Sequence, residues 1–509
     1  MRVKEKLHLN QKIKSVIGFI IFIAILCKVF CNTTYLFRNT SWNRAHIVGI
    51  ENEDLDMIYI GGSAAYVYWQ PLKAWNDCGF TSYSYANDTV QAESIKAYLE
   101  QARTTQNPEL YVIGVRAFQY YSDEQVEAGL RNGTDSMDLT SPARYKLLND
   151  YFKNRNISED TDVLSYYLDI AKYHTNTANL GSSLAWSFIN NKGISANKGW
   201  EWIDLYGYLD EPQGFQTDDR AELPENAKKI LVDLLEYCKT ENLNVLFVVC
   251  PYYLTMVDQA KYNTIGDIVE RYGFDFLNTN DYYDEMGIDF SQDFYNKNHV
   301  NLFGAEKYTA FLENYITSNY NMPDHRGDSQ YESWNDDYQR FRKEYNTHAE
   351  TVTNLRLNVE KGNELEQQMH SAQSFFEWYE LVNDSRYKLL IASAAPIGDV
   401  SDVAFTKVLG NWSMDPNAAS QIRVIQDSTV AYSNSSNQAS AFDGTAGIWN
   451  DITYHISIEN GNNSILINGE EVLNRSEGMN IVVYDNNYRR VADIVTINVI
   501  DGEIILTRE

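Results

Sequence analysis

Two polar side chains stand out against the apolar segments around them. Ser63 follows the run Asp56–Gly61 (DMIYIG), within Gly61-Gly62-Ser63-Ala64-Ala65. His299 lies in the polar loop DFYNKNHVNLFGAEKYT, ahead of Asn301 and Gly304. A serine hydroxyl is a weak nucleophile until a base takes its proton, and the base itself needs a third group to orient it. A serine just past a buried strand stands at the carboxyl edge of a sheet, where nearby amides can face a developing oxyanion. An imidazole brought to that edge completes a pair suited to acyl transfer. Taken singly, each residue has a plainer reading: Gly-Gly-Ser is often a turn, and a lone loop histidine is often a surface residue.

The elements around these residues place both at one edge. Asp56–Gly61, Pro108–Val115 (PELYVIGV), Asn242–Val249 (NLNVLFVV) and Asp275–Asn278 are short apolar runs that read as buried strands. Glu93–Ala102, Ala227–Thr240, Tyr262–Tyr272 and Ala305–Thr317 carry helical periodicity, and Ala65–Trp75 can begin a helix. Strands alternating with helices predict an α/β domain, over 50–320, built on a parallel sheet with ligands at the strands' carboxyl ends. Arg116, just after Pro108–Val115, lies at that edge and can bind an anionic substrate or pair with Asp88. Residues 119–223 lack the rhythm and read as a largely helical insertion. Residues 329–382 are polar, with Gly362 the single glycine and no proline, and read as a helical linker. Residues 383–509 hold short strands between Gly-Asn and Asp-Gly turns and read as a separate β-sandwich-like domain.

Together, IGGSAAYVYWQP and DFYNKNHVNLFGAEKYT resemble the SGNH (GDSL-like) hydrolases. The similarity is greatest to the membrane-anchored bacterial branch represented by the teichoic acid D-alanylation protein DltD. It runs over about Asn52–Ser318 and takes in LNVLFVVCPYY and AEKYTAFLENYI. The resemblance implies a flavodoxin-like sheet, Ser63 as nucleophile and His299 as base. Gly62 stands where the family's Gly-Asp-Ser block has aspartate. Asn296 stands where an aspartate is expected, three residues before the histidine. Asparagine can orient an imidazole but cannot stabilise imidazolium by charge. Asp293, six residues before His299, takes the role instead if the loop folds back. The implied oxyanion hole consists of the Ser63 amide, a glycine for which Gly62 is the candidate, and an asparagine best matched by Asn87 in YSYANDT. The resemblance implies no metal or organic cofactor. Its implied partners are a cell-envelope polysaccharide or teichoic acid and a membrane O-acyltransferase. Water as acceptor makes an esterase, and a sugar hydroxyl makes an acyltransferase. The alternative is a non-catalytic envelope glycan-binding or assembly protein that retains the fold, as the departures at Gly62 and Asn296 and the extra β domain allow.

The remaining features bear on location. The chain has 509 residues and a formal charge of −28, which disfavours nucleic acid as a partner. The first 14 residues oppose this trend: Arg2, Lys4, Lys6, Lys12 and Lys14 face only Glu5. The apolar stretch Ser15–Phe37 follows, interrupted by Lys28. As a helix it spans about 34 Å, roughly the apolar thickness of a bilayer. The expected arrangement is a cytoplasmic tail (1–14), a single-pass anchor (15–37) and an extracytoplasmic bulk; a cleaved signal peptide is the alternative. Five cysteines without metal-ligand spacing give no disulfide framework.

Overall fold

The computed structural model describes residues 2–37, 50, 54–124, 127–178, 196–435, 440–447 and 452–508. Parts of the expected insertion, 125–126 and 179–195, lie outside the described residues. The chain divides into two compact units, Met1–Val352 and Thr353–Glu509.

The first unit is built on five parallel strands: β1 (Met57–Gly61), β2 (Ser82–Ala86), β3 (Leu110–Gly114), β4 (Val245–Val249) and β5 (Asp275–Asn278). Their order is β2-β1-β3-β4-β5. Register runs Met57↔Ser82 and Gly61↔Ala86 on one side of β1, and Met57↔Leu110 on the other. Strands β1 and β4 are buried along their whole length, which is why their sequences are unbroken apolar runs rather than alternating ones. The order reverses between β1 and β3, and a crevice opens outside their carboxyl ends at such a point. Ser63 follows β1 and Arg116 follows β3, so topology alone brings both to it.

Strand β2 has no counterpart in the sequence reading. Its sequence, SYSYA, alternates hydroxyls with aromatics, yet every residue is buried. Ser82 is tolerated there because its Oγ accepts a 3.0 Å hydrogen bond from Trp69 Nε1.

Among its described residues, the insertion is helical at Glu127–Asp135, Pro142–Asn154, Leu164–Tyr167 and Asp169–Tyr173. The described segment from Trp200 to Leu223, including WEWIDLYGYL, forms no helix. Trp200, Trp202 and Tyr206 pack inward from this irregular backbone, while Tyr208 is exposed. Within the helical part, the Arg144 and Asp169 side chains form a fully buried pair, 2.5 Å apart. Asp169→Ala leaves the guanidinium charge buried without its carboxylate, and is expected to destabilise the protein by about 3–5 kcal/mol. A urea melt of the two proteins measures this; a midpoint unchanged from wild type would show the pair to be dispensable.

The N-terminal helix Arg2–Phe37 contains Ile13–Cys31, long and apolar enough to cross a membrane, with its side chains exposed. The expected linker is helical at Glu332–Ser371 and Phe375–Val382. Trp334, Phe341, Tyr345 and Val352 pack into the first unit's core. Leu357 is exposed.

The second unit has two antiparallel sheets. One follows the order β10-β9-β8-β15-β16-β17, and the other β11-β12-β13-β14. The six-stranded sheet comprises β8 (Tyr387–Ser393), β9 (Gln421–Gln426), β10 (Thr429–Ser435), β15 (Met479–Asp485), β16 (Arg490–Ile500) and β17 (Glu503–Thr507). The four-stranded sheet comprises β11 (Ser440–Ala446), β12 (Ile452–Glu459), β13 (Asn462–Ile467) and β14 (Glu470–Arg475). Alternation along the central strands sorts their side chains to two cores. Leu390 and Val482 pack with Ile456 and Ile465 of the smaller sheet. Leu389, Ile391, Ile481 and Val483 pack with Phe375 and Trp378 of one helix and Phe405 of another, Val403–Asn411. The unit is therefore a sandwich with a helical layer on its outer face. The helix Val403–Asn411 and the polar strands β10, β11 and β14 are absent from the sequence reading, whereas Phe375–Val382 falls within the expected helical linker.

Candidate functional site

Ser63 is placed by a sharp change of direction. After β1, Gly62 is extended (φ −92°, ψ −153°) and caps the short helix Ser63–Tyr66. Amides in a helix's first turn have no carbonyl one turn back to bond. The Ser63 and Ala64 amides are therefore available beside the Ser63 hydroxyl.

His299 is placed by a folded-back loop. A small hairpin joins β6 (Phe294–Asn296) to β7 (His299–Val300), pairing Asn296 with His299. Asn301 caps the helix Leu302–Asn319, its Oδ1 accepting from the Phe303 and Gly304 amides. Its amide nitrogen reaches back to the Gln292 carbonyl at 2.7 Å. Gly304 is needed because a Cβ there would stand 2.5 Å from the Asp293 carbonyl oxygen. The His-Val-Asn-Leu-Phe-Gly run thus both turns the loop and starts the helix.

The hydroxyl and imidazole meet. Ser63 Oγ lies 2.7 Å from His299 Nε2, and His299 Nδ1 lies 3.1 Å from Asn296 Oδ1. The Asn298 amide donates to Asn296 Oδ1 at 2.8 Å, which identifies that atom as the carbonyl oxygen. Nδ1 must therefore carry the hydrogen, and Nε2 is the lone-pair nitrogen facing the serine. Burial, aided by the Arg116 charge, pushes the His299 pKa down to about 4. At neutral pH the ring is a neutral base. Tyr295 stacks on it, ring centres 5.4 Å apart.

The supporting contacts come from several elements. Tyr68 Oη and Arg116 Nη1 both donate to the Asn298 carbonyl, each at 2.9 Å, and the Tyr253 amide donates to the Lys297 carbonyl at 2.8 Å. The irregular segment after Trp200 straps the two loops together. Trp200 Nε1 donates to the Val67 carbonyl at 2.9 Å and the Glu201 amide to Tyr66 at 3.0 Å. Farther along, the Gly207 amide donates to the Phe294 carbonyl at 3.0 Å.

A cavity of about 490 Å³ opens over the pair, lined among others by Gly62, Ser63, Asp88, Arg116, Tyr252 and His299. That size suits a small organic ligand. Two residues expected at the site are directed elsewhere. Asp293 is held by Lys307 Nζ and the Asp289 amide, both at 2.6 Å, and does not reach His299. Burial raises its pKa and the lysine offsets that rise. The position beside Nδ1 belongs to Asn296. Asn87 turns its amide nitrogen to the Asn132 carbonyl (2.9 Å) and Ser136 Oγ (2.6 Å), satisfying buried groups of the insertion rather than facing Ser63. Arg116 does not pair with Asp88; its polar partner is Asn298. Asn298, Tyr295 and Tyr252 were not singled out from the sequence, although Asn298 and Tyr295 stand within the His299 loop. Their signal was only adjacency, since their roles depend on the hairpin.

Among the described residues, no group of three or more His, Cys, Asp or Glu side chains is placed to hold a metal ion. No protein-family model matches the chain, and no curated protein matches it.

Proposed function

We propose that this chain is a serine-dependent O-acyl esterase or acyltransferase of the SGNH type, acting on a cell-envelope polysaccharide or teichoic acid at the outer face of the membrane. The observation that carries this is the relay Asn296–His299–Ser63, with a neutral imidazole whose lone pair faces the hydroxyl. The parallel strand order, with Ser63 beyond β1, supports the family reading.

In the proposed reaction His299 Nε2 takes the Ser63 proton as Oγ attacks the acyl carbon. The Ser63 and Ala64 amides hold the oxyanion. His299 then returns the proton to the departing alcohol. Water or a sugar hydroxyl, deprotonated by the same ring, takes the acyl group from the serine. In this reading the N-terminus is cytoplasmic and the site outside, which the basic residues ahead of the apolar stretch support.

A fluorophosphonate probe tests the nucleophile. Phosphonylation is expected at Ser63, located by peptide mass spectrometry, and acid-denatured protein is expected not to react. A folded protein that leaves Ser63 unlabelled at saturating probe would remove the catalytic reading. One observation favours a second reading, a non-catalytic envelope glycan-binding or assembly protein: among the described residues the group at His299 Nδ1 is the Asn296 amide oxygen and not a carboxylate. Unlabelled Ser63 together with retained glycan binding would select it.

The strap gives a further prediction. A Cβ at Gly207 would stand 2.4 Å from the Tyr295 carbonyl oxygen. Gly207→Ala is expected to lower kcat about 10-fold, since small displacements of catalytic groups are costly. Thermal stability should change little by comparison. Steady-state hydrolysis and a melting curve check this, and an unchanged kcat would show that the strap does not set the loop's position.

A further inference from the structure

Arg116 is a cation without a counter-ion in a chain with 70 acidic residues against 42 basic ones. Its guanidinium lies over the Tyr252 ring, 4.2 Å from the ring centre, in the wall of the cavity that holds Ser63 and His299. Two of its five N–H donors go to Asn298, one to the backbone carbonyl and one to the side-chain oxygen. Nε is buried and has no hydrogen-bond partner. No ion pair to Arg116 is present among the described residues. The two aspartates lining the cavity are differently placed. Asp258 is committed to a capping box with Thr255, the N-cap of helix Met256–Arg271, and accepts from Gln119 Nε2. The field of Asp88 falls on Tyr66, Glu201 and Tyr295, whose acid forms it favours.

A planar guanidinium with unused donors and no paired carboxylate, set in a cavity wall, is a carboxylate receptor. We infer that Arg116 selects acyl groups ending in a free carboxylate, so that the preferred substrates are half-esters of dicarboxylic acids rather than simple acetyl esters. This rests on the acyl-transfer reading above. The covalent step is unchanged. Ser63 Oγ bonds to the ester carbon and the bond to the alcohol oxygen breaks. The serine proton passes through His299 to that oxygen. The distal carboxylate of the acyl group meanwhile stays ionised against Arg116.

The test uses the full chain in detergent. It compares 4-nitrophenyl monoesters of succinate, glutarate and adipate with those of butyrate, pentanoate and hexanoate, after subtraction of spontaneous hydrolysis. At least one diacid ester is expected to exceed the monoacid of equal length by 10-fold or more in kcat/KM. Arg116→Gln is expected to remove most of that ratio, and Arg116→Lys to restore part of it. The ratio is the readout because loss of the Asn298 contact alone would slow both series alike. Equal rates for the two series in wild type, or equal losses in Arg116→Gln, would overturn the inference. Calorimetric titration with glutarate separates this from the parent reading. Arg116-dependent binding with no hydrolysis of any ester would keep the carboxylate site and remove the enzyme. Absence of both hydrolysis and binding would remove both.

Discussion

Ser63→Ala is expected to lower ester hydrolysis by about 10⁴-fold or more, with the folded state unchanged. The magnitude follows from removing a nucleophile whose base and oxyanion donors remain in place. In energy it is about 5.4 kcal/mol of transition-state stabilisation. Ser63 contributes little to stability, because its hydroxyl's partner is the half-buried His299 rather than a core group. Melting temperature should therefore hold, which separates a chemical loss from an unfolded protein. His299→Gln is expected to fall to a similar floor. The double variant should be no worse than either single one, since the two residues act as one unit. Two independent, additive losses would mean that the hydroxyl and the imidazole do not share a step. Equal rates for Ser63→Ala and wild type would leave the serine with no chemical role.

The parallel sheet was legible because its strands are buried on both faces, so MIYIG, LYVIG and VLFVV read as apolar runs whatever the rest of the fold does. The placement of Ser63 and His299 was legible because Ser63 follows one of these strands and His299 precedes the helix Leu302–Asn319, each by a short offset. The choice between Asp293 and Asn296 was not. It depends on a two-residue turn at Lys297 and Asn298, which puts Asn296 directly across from His299, and on Lys307, one helical turn beyond Gly304, which claims Asp293. Asn87 misled for a related reason. An asparagine at a strand's end is a plausible donor until the insertion supplies the Asn132 carbonyl and the Ser136 hydroxyl that use it. Strand β2 and the strands β10, β11 and β14 escaped because their exposed or hydroxyl-bearing positions lower the apolar signal that marks a strand. The strap from Trp200 to Gly207 has no local signature at all. Its conformation is set by the carbonyls of Tyr66, Val67 and Phe294, contributed by distant parts of the chain.

Asn296→Asp is the substitution expected to increase activity. The native asparagine fixes the tautomer of His299 but gives no charge to the imidazolium that forms in the transition state. Burial and Arg116 both oppose that cation, which is why the ring's pKa lies near 4 against an ordinary 6.5. A carboxylate 3.1 Å from Nδ1 would favour the charged ring and raise its pKa. Hydrolysis needs neutral His299, so in wild type the rate falls as pH drops through about 4. In Asn296→Asp the acid limb moves up, while the plateau rate at pH 8 rises, by roughly 10- to 100-fold, as imidazolium gains a partner. Stability moves in step. In wild type the unfolded chain binds the His299 proton more readily than the folded one between about 4 and 6.5. The stability contributed by the neutral ring is thus complete above that window and lost as pH falls through it. In the variant this window narrows or closes. A pH–rate profile of the two proteins, with Asp293→Asn as the control that leaves the limb in place, decides the matter. An unmoved limb in Asn296→Asp, or a moved one in Asp293→Asn, would place the orienting group elsewhere than Asn296.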